Sequence, residues 1–98
     1  MSETTVTRRA PAPYTRHNFD HVSDVMLYDI ARHTASVLSS VLLNLADGAT
    51  DDAERGHWAA RRRLVKQQMR ALDVHDRAGL IAQDEVWRLE KLALAGNA

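Results

Sequence analysis

The sequence predicts an all-α protein, a three-helix antiparallel bundle behind a flexible N-terminal arm, and three observations predict it. Apolar residues return at spacings of three, four and seven over three long stretches. No segment alternates apolar and polar residues over a useful length, so no strand is expected. Gly48, Gly79 and Gly96 each close an apolar stretch, where a glycine suits the end of a helix. At 98 residues, 45% hydrophobic and 27% charged, the chain has the length and composition of one folded domain.

Residues 1–17 read as the flexible arm. They are rich in Ser and Thr, carry Pro11 and Pro13, and show no apolar period. The remainder, 18–98, reads as a single helical domain. The first helix is expected over about 19–47. Phe19, Val22, Met26, Ile30, Val37, Val41 and Leu45 line one face, and Leu27, Ala31, Ala35, Leu38 and Leu42 form a second stripe beside it. Ser36, Ser40 and Asn44 leave only a narrow polar strip, which predicts that this helix is covered on more than one side. Two neighbouring helices do not supply that cover. Val37, Leu38, Val41, Leu42 and Leu45 are therefore the expected oligomer interface, and a homodimer or a protein partner is the expected assembly.

Thr50 and Asp51 are N-cap candidates for a second helix over about 51–78. The acids at 51, 52 and 54 suit the positive end of its dipole. Trp58, Val65 and Leu72 repeat every seven residues along it. A third helix is expected over about 82–95, with Val86, Leu89 and Ala93 on one stripe, Leu92 beside them, and Trp87, Lys91 and Leu94 on the next line. Short connections at 48–50 and 79–81 favour antiparallel neighbours.

The stretch Met69–Leu94, centred on Arg77-Ala78-Gly79-Leu80-Ile81-Ala82-Gln83-Asp84-Glu85, resembles the short C-terminal (SHOCT-type) helical hairpin found at the ends of many bacterial proteins. Gly79-Leu80-Ile81 and Asp84-Glu85 carry the resemblance, while Ala82 stands where that family places a capping Thr or Ser. The resemblance implies an interaction or oligomerisation element. Thr50 and Glu54 likewise resemble the inhibitory helix motif of antitoxins that block Fic adenylyltransferases, with Arg55 where that motif continues with Gly or Asn. This resemblance implies an obstructing role for the Glu54 carboxylate.

The 13 basic and 13 acidic residues cancel, yet they are segregated. Residues 20–54 carry −6 and residues 55–72 carry +6 with no acid among them. The run Arg61-Arg62-Arg63 with Lys66 and Arg70 is the strongest local signal, because Arg62, Lys66 and Arg70 sit four apart on one helical face. Such a stripe suits phosphates, a protein partner, or Asp20, Asp24 and Asp29 of the first helix in an internal pairing. A helix-turn-helix over 68–94 is set aside, because Asp84, Glu85 and Glu90 on its second helix suit a phosphate-lined groove poorly.

No catalytic site, cofactor or metal is expected. The paired carboxylates Asp51-Asp52 and Asp84-Glu85 are expected at helix starts, where the dipole would account for them. Ser39 and Ser40 have no base at local spacing. His17 and His21 are spaced i, i+4, but two imidazoles fall short of the usual three or four ligands. His33, His57 and His75 have no recognisable partner. With no cysteine, no apolar leader in residues 1–9 and no apolar run near the roughly 20 residues that span a bilayer, a cytoplasmic protein without membrane contact is expected. The function expected is that of a small bacterial interaction or regulatory protein, antitoxin-like or immunity-like, and not an enzyme. Its candidate partner-binding residues are Trp58, Arg62, Lys66, Arg70 and Trp87. A nucleic-acid-associated protein using the Arg61–Arg70 stripe is the alternative.

Overall fold

A computed structural model describes residues 18–96, so the expected arm at 1–17 lies outside the described residues. Three helices follow in order: α1 (Asp24–Asp47), α2 (Asp52–Arg70) and α3 (Arg77–Ala95). The all-α, three-helix expectation holds. α1 is the spine. Ser36 donates to the Met69 sulfur and Arg62 Nε donates to the Ser39 carbonyl, which sets α2 antiparallel to α1. Arg77 reaches Asp24 and Thr34 reaches Asp84, so α3 runs parallel to α1 and antiparallel to α2. Each outer helix packs closely on α1, whereas α2 and α3 meet through long side chains such as Arg61 and Glu90. The Cα atoms span 51 × 37 × 14 Å, so the three helices lie close to one layer.

The stripe inside the fold is the second of the two on α1. Leu27, Ala31, Ala35, Leu38 and Leu42 have no exposed surface and meet Val65 of α2 and Leu80, Trp87 and Leu94 of α3. The first stripe lies at the edge of that contact: Ile30, Val37, Val41 and Leu45 are half-buried and Met26 is 57% exposed. Two helices flanking one stripe leave its neighbour partly open, and this sets where apolar surface remains.

The caps explain the boundaries. Ser23 accepts from the Met26 amide at 3.1 Å to start α1, and Asp51 accepts from the Glu54 amide at 2.7 Å to start α2. Gly48 follows α1 with φ −88°, so the helix ends there without the left-handed conformation expected of it. α1 starts five residues later than expected, at the Ser23 cap. The expected second helix overruns the observed one by eight residues, and the third starts five residues earlier than expected. Asp73 is the reason. Its carboxylate accepts from the His75 amide at 2.9 Å and its carbonyl from the Asp76 amide at 3.0 Å, which turns the chain at 71–76. Asp76 then caps α3 through the Gly79 amide at 3.0 Å. Gly79 is thus inside the first turn of α3 and terminates nothing. A Cβ there would collide with the Asp76 carboxylate, so glycine is what lets the cap close.

Candidate functional site

Three surfaces remain once the helices are placed: an apolar groove, an apolar outer face of α3 and a basic flank of α2. The groove lies between the last turns of α1 and α3. Val41, Leu45, Leu92, Leu94 and Ala95 line about 600 Å³, with Asn44 and Lys91 as polar members. Its apolar character follows from the half-covered stripe of α1 meeting a helix that is itself rich in leucine.

The outer face of α3 carries Ala82, Val86, Leu89 and Ala93, all exposed, with Val86 at 52% and Leu89 at 46%. They lie opposite the buried Leu80, Asp84, Trp87 and Leu94. α3 is held from its inner face by two devices. Asp84, 1% exposed, accepts from the Thr34 hydroxyl at 2.6 Å and from Arg88 Nε at 2.7 Å, so its buried charge is paired and hydrogen-bonded. Trp87 is fully buried, and its indole N–H has no acceptor among the described residues, so packing alone seats it.

On the side of α2, Arg61 forms a bidentate pair with Glu90 at 2.7 and 2.5 Å. The hydrogen bonds that Arg61 donates to Glu90 raise the guanidinium pKa, and the carboxylate charge adds to this against the cost of burial. Arg62, Arg63, Lys66 and Arg70 behave otherwise. Arg62 donates to the Ser39 carbonyl at 3.3 Å, and none of the four makes an ion pair among the described residues. The internal pairing of Lys66 and Arg70 with Asp20, Asp24 and Asp29 is absent among these residues, because Asp24 pairs with Arg77 at 2.9 Å on the far outer helix.

The residues singled out from the sequence therefore divide. Arg62 and Lys66 are half-buried and Arg70 is exposed along one flank of α2. Trp58 is half-buried, donates to Glu54 Oε2 at 3.4 Å and meets His57 edge to face at 4.6 Å. Trp87 is in the core. Val37, Val41 and Leu45 are half-buried, whereas Leu38 and Leu42 have no exposed surface and pack within the chain itself. Lys91, Leu92 and Ala95 were not singled out for binding, and the signal for them lies in the spacing of Leu92 from the Val86–Leu89–Ala93 line. His17 lies outside the described residues, His21 precedes the first helix, and the described residues hold no group of three potential metal ligands. No described helix is long and apolar enough to cross a membrane.

Comparison with protein-family models, with curated proteins and with solved structures finds no match to this chain.

Proposed function

We propose that this chain is a small, non-catalytic helical interaction protein of the bacterial cytoplasm that masks another protein, in the manner of an antitoxin or immunity protein. The groove between α1 and α3 carries this reading. Val41, Leu45, Leu92 and Leu94 offer it an apolar floor, and Lys91 at its lip favours a partner with a carboxylate beside an apolar anchor. A groove of this kind takes the apolar face of a helix, read as anchors one turn apart.

The test is capture of partners by the tagged chain from its native cells, after nuclease treatment and at moderate salt. One protein in stoichiometric amount is expected, and Leu92→Glu is expected to abolish its capture while circular dichroism keeps the helical signal. Capture that survives Leu92→Glu with the fold intact removes the groove from the reading. Capture that appears only with nucleic acid present removes the masking function.

A second reading, nucleic-acid association, is favoured by the four cations of α2 that lack an acidic partner among the described residues. Ser36 and Ser40 of α1 are exposed beside them. In this reading, four phosphate contacts make binding to a short duplex fall by about 10²-fold between about 50 and about 200 mM salt. The double change Arg62→Glu, Lys66→Glu abolishes it.

A further inference from the structure

We infer that the crease between α1 and α2 seats the phosphate backbone of a nucleic-acid duplex, with α1 supplying a second wall of hydroxyls and no base being read. The inference rests on the nucleic-acid reading and deepens it to a site and a ligand class. The α1–α3 groove, on the other flank of α1, plays no part in it.

Arg62, Lys66 and Arg70 follow one another at four-residue intervals, and Arg63 adds a fourth cation beside them. The row covers about 12 Å at 1.5 Å per residue. Two contacts set its register against α1: Arg62 Nε donates to the Ser39 carbonyl at 3.3 Å, and Ser36 donates to the Met69 sulfur at 3.9 Å. Ser36 and Ser40 therefore border the same stretch from the opposite side. Both are exposed, and their protons go to weak or local acceptors, Ser40 to the Ser36 carbonyl at 3.2 Å. A hydroxyl rotates to suit its partner, so each can turn to a phosphate oxygen.

The surroundings favour a duplex backbone over a protein or a single strand. None of the four cations has an ion-pair partner among the described residues, and counterion release rewards their placement against phosphates. Ser36, Ser40, Arg63 and Arg70, the exposed members of the strip, are all polar, so it lacks the apolar anchor on which a protein partner docks. Exposed Leu43 lies a turn past the Arg62 end, level with Trp58. Trp58 is itself half-buried and donates to Glu54, which leaves no exposed ring in the strip for stacking unpaired bases. α2 lies flat along α1 here, so neither helix projects into a groove to reach base edges. Acids close both ends, Asp47 and Asp52 at one and Asp29 with Asp73 at the other, which limits the site to about one phosphate per cation.

Fluorescence anisotropy of a labelled short DNA duplex, titrated with the full chain, reads the site. The logarithm of affinity is expected to fall against that of salt with a slope of about −3.6, alike for duplexes of unrelated sequence. Ser36→Lys, Ser40→Lys is expected to tighten binding and steepen the slope by about 1.8, a gain that a damaged fold does not produce. Ser36→Asp, Ser40→Asp is expected to weaken binding at least about tenfold with the helical circular dichroism retained. If Arg62→Glu, Lys66→Glu abolishes binding while both α1 pairs leave it unchanged, the nucleic-acid reading stands and the crease alone falls. A chain that binds no duplex at about 50 mM salt overturns both. A preference among duplex sequences overturns the backbone-only site. So does a captured protein that Ser36→Asp, Ser40→Asp releases while duplex binding is unchanged, because the crease then belongs to that protein.

Discussion

α2 and α3 are both 19 residues long and both pack on α1, yet they contribute in opposite ways. α2 has one fully buried residue, Val65, and carries a row of cations along one flank. α3 buries Leu80, Asp84, Trp87 and Leu94 and still presents Val86 and Leu89 on its far side. One is an ordinary amphipathic helix whose outer face is suited to water or to a polyanion. The other is apolar on two faces, which is uneconomical for a helix at the edge of a layer unless something covers the second.

Substitutions sharpen that contrast. Trp87→Ala is expected to cost about 4 kcal/mol, because it removes the largest buried side chain and leaves a cavity. Val65→Ala, which truncates the one fully buried residue of α2, is expected to cost about 2 kcal/mol. Urea titrations followed by circular dichroism measure both, and equal costs would break the asymmetry. Arg88→Met falls between the two at about 3 kcal/mol, since the Asp84 carboxylate then stays buried with Thr34 as its remaining donor. Thr34→Val in the same background is expected to add less than it does in the parent chain, because the two act on one carboxylate.

The link between the two outer helices is weaker. Glu90→Gln is expected to cost about 1 kcal/mol, as the Arg61–Glu90 pair is only partly buried. Arg61 has its folded pKa raised, so its contribution is complete below the unfolded value and is lost only as pH rises through the folded one. Both values lie far above neutrality, so Arg61 adds no pH dependence to the Glu90→Gln loss between about pH 6 and about pH 9. The smallest effect is expected at Leu64 and Leu89, both exposed. A change of either to Glu shifts the stability of the isolated chain by less than about 0.5 kcal/mol.

Much of this was legible in the sequence. The end of the first helix could be bounded from its apolar period, but not its start, because Phe19 and Val22 carry the period past the Ser23 cap; Asp51 with Glu54 marked the start of the next. The break at 71–76 was hidden because Trp58, Val65 and Leu72 keep the heptad running into it, and because Gly79 imitates a helix end while it serves the Asp76 cap. Which of two adjacent apolar stripes on α1 would be buried was not legible either. Period identifies both, and only the angle at which α2 and α3 flank α1 chooses Leu38 and Leu42 over Val37 and Val41. Val86, Leu89 and Ala93 were visible as a line. That they point away from the fold depends on Asp84 and Trp87 claiming the inner face.

Arg77 has a bearing on how the chain acquires this structure. Its guanidinium donates to the carbonyls of Phe19 and Val22 and to Asp24, contacts separated by more than fifty residues of chain. α1 and α2 are joined by a short connection and can zip together early, whereas these contacts close a loop of more than fifty residues and wait for α3 to arrive. They belong to the late side of the folding barrier. Arg77→Ala is accordingly expected to quicken unfolding and leave the folding rate almost unchanged, which stopped-flow traces on either side of the midpoint will separate. The residue that starts α3 thereby governs how long the native chain persists more than how fast it forms.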